Sequence, residues 1–342
     1  MGKACILDKN HLPYWLRQIR KERRLIAPMV TIAGDPVYKE VGNIHEIQLD
    51  GPACLPSVKE FFFPQTEVMF RCREGKVREE VLGVPTVIFG LRSCDVAALH
   101  RVDRFMGGDF HDPYYERKRE NTILVSVGCN RPDPTCFCMN LGTGPFLHEG
   151  YDIQLTDLGS RYFVETASGR AAKLLRKFRY LFRNPSKTDY EDQYEAIHLS
   201  RTCFEKRMNL EGARKAMAAG EVPEAFWQSV TKRCFECGGC VYVCPVCTCF
   251  NVLDRKEGGT VERCRVWDTC LFKGFTRMAG GVLPNRERVK RTKRWYEHKI
   301  LHAPEQIGAF GCVGCGRCTL ACPGVIDMAT VGMQLTKGVE QP

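Results

Sequence analysis

Apolar positions fall into short, recognisable patterns along the chain. Two continuous apolar runs, PTVIFG (85–90) and NTILVSVG (121–128), flank CDVAALHRVDRFM (94–106), whose spacing is helical. Runs of this length bounded by turn residues predict buried strands. Between them Val96, Leu99, Val102, Phe105 and Met106 mark the inward face of a helix that Asp95 opens as its cap. Strand, helix, strand predicts a parallel βαβ unit. Further on, Ala171, Leu174, Leu175, Phe178, Leu181 and Phe182 form the apolar stripe of an amphipathic helix with a basic opposite face. Core packing explains that stripe most simply; partner docking and membrane-surface contact are the alternatives.

The next stretch, RNPSKTDYEDQYEAIHLS (183–200), is polar and poor in core residues, which predicts a domain boundary. LEGARKAMAAGEVPEAFWQSV (210–230) then reads as helix, turn at Gly220–Pro223, helix. Beyond it, WDTCLFKGFTRMAGG (267–281) and RERVKRTKRWYEHKI (286–300) also read as helices. The expected fold class is α+β: an N-terminal α/β domain over residues 1–190, then an α-helical ferredoxin-like domain over 200–342. No stretch of eighteen apolar residues occurs, so no membrane span is expected. The N-terminal MGKACILDKNHLPYW has neither an apolar core nor a small-residue cleavage site, and a cytoplasmic location is expected.

Cysteine changes this picture more than any other residue type. There are 20 in 342 residues, and in a reducing compartment dense cysteines hold metal rather than disulfides. Cys234-x2-Cys237-x2-Cys240-x3-Cys244-Pro245 recurs as Cys312-x2-Cys315-x2-Cys318-x3-Cys322-Pro323. This is the spacing of bacterial ferredoxins, in which the fourth cysteine of each run ligates the other cluster. Three thiolates must converge from one tight loop, and Gly238, Gly239, Gly314 and Gly316 let the backbone wrap the cluster corner. The expected ligand sets are Cys234, Cys237, Cys240 and Cys322 for one 4Fe-4S cluster, and Cys312, Cys315, Cys318 and Cys244 for a second. A pair of zinc knuckles is the alternative, but it leaves the doubled run unexplained.

A second concentration of thiols lies in the N-terminal half. Cys94 follows the first predicted strand at a helix N-terminus, which favours a thiolate, and Cys129 follows the second. Ligands gather at the carboxyl ends of strands in open α/β sheets. CNRPDPTCFC (129–138) adds Cys136 and Cys138. These four are candidate ligands of a third 4Fe-4S cluster; zinc and free buried thiols are the alternatives. Cys247, Cys249, Cys264 and Cys270 remain over, to shield a cluster or hold one more. Cys5, Cys54, Cys72 and Cys203 follow no pattern and read as structural.

The formal charge is +10, and three oxidised cubanes at about −2 each would lower it to about +4. Much of the basic excess then reads as compensation, and nucleic-acid binding is not expected. The basic run Arg286–Lys299 is a solvated helix face or a docking surface for an acidic redox partner. No GxGxxG or P-loop pattern appears in the required context, so no nucleotide site is expected.

Several segments together resemble one family: EFFFPQTEVMF (60–70), FGLRSCDVAALHRVD (89–103), DPYYERKRENTILVSVGCNRPDPTCFC (112–138), LGTGPFLHEGYDIQLTDLGSRYFVE (141–165), CGGCVYVCPVCTCF (237–250), WDTCLFKGFTRMAGG (267–281) and GCVGCGRCTLACP (311–323). The chain resembles the iron–sulfur subunit that anaerobic sulfite reductase shares with cytoplasmic sulfhydrogenase, where it is the beta subunit. Similar subunits accompany flavin oxidoreductases that feed heterodisulfide reductase. The cysteines that match are the eight of the two runs with Cys94, Cys129, Cys136, Cys138, Cys247, Cys249 and Cys270. Ser93 departs from the pattern, which has Pro before the cysteine. The resemblance implies an electron-transfer subunit without catalysis of its own, linking a flavin- and NAD(P)-binding subunit to a terminal catalytic subunit. The rival expectation is a chain that itself reduces a small molecule at an N-terminal cluster or metal site.

Overall fold

A computed structural model describes residues 4–51, 53–80 and 83–337. The chain opens with strand β1 (Ala4–Asp8), helix α1 (Leu12–Glu22), β2 (Arg24–Val30) and β3 (Pro36–Glu40). A hairpin of β4 (Thr66–Arg73) and β5 (Lys76–Glu79) precedes β6 (Thr86–Leu91), α2 (Ser93–Met106), α3 (Pro113–Glu120) and β7 (Thr122–Val127). Then come β8 (Ile153–Asp157), β9 (Arg161–Thr166), α4 (Gly169–Lys177), β10 (Phe182–Arg183) and α5 (Lys187–Thr202). The remaining elements are α6 (Leu210–Ala218), α7 (Glu224–Lys232), α8 (Gly239–Tyr242), β11 (Phe250–Glu257), β12 (Thr260–Trp267), α9 (Arg288–Glu297), α10 (Ala303–Ile307), α11 (Arg317–Ala321) and α12 (Met328–Lys337). Among the described residues no helix is long and apolar enough to cross a membrane.

The larger sheet has eight strands in the order β10-β1-β9-β8-β7-β6-β2-β3. Its centre, β2, β6, β7 and β8, is parallel, and antiparallel strands flank it. Every residue of β6 and β7 is buried, as a parallel sheet covered on both faces requires. One face carries Trp15, Leu16 and Ile19 of α1 with Ala171, Leu174 and Leu175 of α4, so the amphipathic stripe is core packing. Val96, Leu99, Val102 and Met106 of α2 pack on the other face against Ile88 and Leu124. The predicted βαβ unit is present, with two corrections. Phe105 is 41% exposed, turned away from the sheet by the helical rotation. Arg92, not Asp95, is the N-cap of α2; the Asp95 carboxylate is turned inward, where it accepts from Tyr38 Oη (3.0 Å) and Arg317 Nη2 (2.7 Å).

The polar stretch 183–200 forms most of α5, which begins with a capping box between Ser186 and Asp189. Asp189 is buried against Arg161 and Arg183, and Tyr190 packs edge-on against Phe163, so a largely polar helix is tied to the sheet by ion pairs. Helices α6 and α7 form as the pattern predicts, and with α9 and α12 they surround Trp227, Trp295, Tyr296 and Met328.

The helix expected over residues 267–281 is absent. Residues 250–267 form the antiparallel ribbon of β11 and β12, followed by turns and a short 3-10 segment. Gly258 and Gly259 both have positive φ (52° and 81°), the conformation of a two-residue hairpin turn. This ribbon pairs with the hairpin from the first half, giving a second sheet in the order β11-β12-β4-β5. Arg265 of β12 is 2% exposed, bonds to Glu67 of β4 and Asp112, and lies over the Phe63 ring.

A second buried ion pair joins the two halves near the cysteines. Arg317 of α11 and Asp95 of α2 are both fully enclosed, and Arg317 Nε donates to the Cys54 carbonyl at 2.7 Å. Removing one partner of such a pair leaves a charge buried without compensation, which costs about 3–5 kcal/mol. Asp95→Ala is expected to destabilise the fold by that amount in denaturant unfolding. The double variant Asp95→Leu/Arg317→Met is expected to recover most of the loss.

Candidate metal centres

The two cysteine runs fold alike. Glu236 N donates to Cys234 Sγ at 3.4 Å, and Gly314 N donates to Cys312 Sγ at 3.4 Å. Glu236 and Gly314, at equivalent positions, have φ of 54° and 64°. Gly238 and Gly316, again equivalent, have φ of 75° and 72° and serve as N-caps of α8 and α11. A left-handed residue between the first two thiols and another before the third turn each loop back on itself, so that its sulfurs face inward. Glu236 holds this conformation without being glycine because Arg291, itself buried, bonds its carboxylate.

Helices α8 and α11 pack together, so each run reaches the other. Cys234, Cys237, Cys240 and Cys322 line one cavity, walled by Leu271, Trp295, Tyr296 and Ile326. The first expected ligand set is therefore brought together, including the cysteine from the distant run. Burial and the Cys322 thiol raise the pKa of Cys240. For the second set, Cys312 and Cys315 each lie within electrostatic reach of Cys244, and Cys318 within reach of Cys312 and Cys315. Burial pushes Cys312 up to about 12.

Cys244 is the exception among these thiols. A hydrogen bond from Cys247 lowers its pKa, and Lys299 and Lys59 add to the effect. Lys299 Nζ stands 3.2 Å from Cys244 Sγ and donates to the Gly311 carbonyl at 2.8 Å. Burial opposes the charge of Lys299, but the neighbouring sulfurs of Cys244, Cys247 and Cys312 override it and hold the ammonium well above the usual lysine range. Lys59 Nζ donates to the carbonyls of Cys244 (3.0 Å) and Cys247 (2.6 Å). Nothing in the sequence singled out Lys59, 185 residues from Cys244.

The N-terminal four also share one cavity: Cys94, Cys129, Cys136 and Cys138 line it with Arg92, Arg131 and Asp133. Cys94 sits in the first turn of α2, Cys129 just beyond β7, and Cys136 and Cys138 on the loop that follows. Burial, Cys129 and Cys315 raise Cys136 to about 12. This loop is docked on the second run. Phe137 N donates to the Gly314 carbonyl at 2.8 Å, Thr143 Oγ1 to the Val313 carbonyl at 2.7 Å, and Cys136 Sγ lies 3.7 Å from the Cys315 carbonyl. Arg317 is wedged between Cys94 and Cys315, in reach of both. Nothing in the sequence singled out Arg317, one step after Gly316, or paired it with Asp95.

Of the other cysteines, Cys5 and Cys54 are buried and Cys203 is exposed. Cys264 is enclosed in the β12 ribbon, while Cys247, Cys249 and Cys270 lie beside the second run. Among the described residues no three His, Cys, Asp or Glu side chains converge as closely as one metal ion requires. Thiols spread around the walls of a cavity fit a cubane, whose ligands surround an eight-atom core, better than they fit a zinc ion. Buried thiols that raise one another's pKa ionise when iron replaces the protons.

The docking of the two loops depends on Gly314. A Cβ there would sit 2.6 Å from Cys138 N and 2.6 Å from the Phe137 carbonyl carbon. Gly308 has a similar φ of 66° but only a flexible arginine nitrogen nearby, at 3.7 Å. Gly308→Ala is expected to cost about 1–2 kcal/mol, the left-handed backbone penalty alone. Gly314→Ala is expected to cost clearly more in the same thermal-unfolding assay and to lower the iron retained per chain.

Comparison with known proteins agrees with this geometry. Residues 233–326, which contain both runs, match the 4Fe-4S dicluster domain, indicating 4Fe-4S clusters in that part of the chain. The chain is also 29% identical over 334 residues to sulfhydrogenase 2 subunit beta of Pyrococcus furiosus, an alignment covering 97% of this chain and 98% of that protein. The resemblance read from the motifs is borne out, and the chain is along nearly its whole length a homologue of a sulfhydrogenase beta subunit, with a 4Fe-4S dicluster domain in its C-terminal part.

Proposed function

We propose that the chain is the iron–sulfur electron-transfer subunit of a cytoplasmic, anaerobic, NAD(P)-linked oxidoreductase complex. It links a flavin- and NAD(P)-binding subunit to a terminal catalytic subunit of sulfite reductase, hydrogenase or heterodisulfide reductase type. The observation that carries this reading is the contiguity of twelve cysteines in three groups. Cys94, Cys129, Cys136 and Cys138 lie beside Cys315 of the second group. Cys240 and Cys244, four residues beyond, lie within electrostatic reach of each other and belong to the first and second groups. A 4Fe-4S cluster bound at each group supplies reversible one-electron transfer.

In this reading residues 200–342 form an α-helical ferredoxin-like domain and residues 1–190 an α/β domain that carries the third group. The protein's own residues hold the groups close, exclude water and set the local charge. Trp295 and Tyr296 wall the first cavity, and Lys299 places a positive charge against Cys244. The name of the Pyrococcus relative, a subunit of a sulfhydrogenase, supports a place in a complex.

Iron and acid-labile sulfide on protein purified without oxygen test the ligand sets. A Cys136→Ser/Cys138→Ser variant is expected to lose about four irons per chain relative to the unaltered protein. No loss would return the N-terminal cysteines to a structural role. Lys299→Met is expected to keep the iron and lower the reduction potential of the centre at Cys244, because a positive charge that favours the reduced form is gone. A redox titration followed by EPR reads that shift.

A further inference from the structure

Three cysteines outside the proposed relay gather beside it. Cys247 and Cys249 follow the first run, and Cys270 arrives from the turn after β12. With His298 they line one cavity, closed on one side by Trp295 and Lys299. Cys249 and Cys270 lie close together, and Cys247 lies beside Cys244. His298 enters from the first position of a π-helical turn, His298–His302. Such turns are rare and are frequently found at functional sites.

Lys299, 5% exposed, lines this cavity, and Lys59, 2% exposed, donates from Nζ to the Cys247 carbonyl at 2.6 Å.

We propose that Cys247, Cys249, Cys270 and His298 hold a fourth iron–sulfur centre, of the 4Fe-4S class. The four donors come from three separate segments and face a common cavity instead of a single point, as a cubane needs. Cys264, the other cysteine of this region, takes no part: it is enclosed in the β ribbon, opposite Leu253, with its sulfur toward the Glu262 carbonyl. The site shares the Cys244–Cys247 contact with the second group. On its far side Cys249, Cys270 and His298 also line a wide basic pocket with Lys290, Lys293 and Arg294. The centre therefore stands between the relay and a basic surface. The inference rests on the iron–sulfur reading of the chain but not on the third group.

The test uses the full chain, purified without oxygen and grown with 15N-histidine or with natural histidine. Iron and sulfide per chain are measured for the unaltered protein, Cys249→Ser/Cys270→Ser and Cys136→Ser/Cys138→Ser. About sixteen irons are expected in the unaltered protein, and each double variant is expected to lose a different four. If the N-terminal group holds no cluster, the count falls to about twelve, and the Cys249→Ser/Cys270→Ser variant still loses four. Pulsed EPR of the reduced, unaltered protein is expected to show a histidine nitrogen coupling that changes with the isotope and vanishes in His298→Cys while the iron is kept. Unchanged iron in Cys249→Ser/Cys270→Ser, or zinc in place of iron at this site, overturns the proposal. If that variant does not fold, the nitrogen coupling in the unaltered protein decides, and its absence overturns the His298 assignment.

Discussion

The guanidinium of Arg317 is the point on which the cysteine-bearing parts of the chain converge. It is enclosed, and its bonds run to Asp95 and to the Cys54 carbonyl. Those contacts fix the start of α2, and with it Cys94, against the loop that carries Cys315. The strength of the arrangement is steric and electrostatic together. A buried cation tolerates few positions, so satisfying it sets the distance between Cys94 and Cys315, thiols that the sequence keeps more than two hundred residues apart. Lys59 and Lys299 apply the same rule at Cys244. The basic excess of the chain is thus partly internal, placed where sulfur ligands need an opposing charge.

What was legible in the sequence was what covalent spacing determines. The ferredoxin runs place their thiols within a few residues, and the glycines that turn the backbone lie between them. The βαβ unit was legible because β6 and β7 are buried on both faces and read as unbroken apolar runs. The β ribbon was missed because β11 is exposed along its whole length and leaves no apolar alternation; only Gly258–Gly259 marked it. The inward turn of Asp95 was hidden for a different reason: its partners Tyr38 and Arg317 come from distant segments, and an acidic residue in a first helical turn is equally suited to capping. Phe105 fits the apolar stripe of α2 but faces the cavities near α9 and α10, a distinction that periodicity cannot make.

The four cysteine groupings differ in their surroundings, and the differences follow from chain path. The first cavity is walled by aromatic and aliphatic side chains and reaches the surface at Cys237. The N-terminal cavity has Arg92, Arg131 and Asp133 in its wall. Hydrogen bonding and burial around sulfur are what tune an iron–sulfur centre, so one chain offers several distinct electrostatic settings within a short span.

The second sheet binds its two halves in a way that bears on biogenesis. The β4–β5 hairpin leaves the ribosome early, yet the strand that covers its inner edge ends at Trp267. Until then β4 presents an unpaired edge, an invitation to pair with another nascent chain. The same interlacing limits evolution: neither half can be exchanged for a foreign module without leaving a strand edge bare. Recombination between such genes is then confined to crossovers that carry both hairpins together.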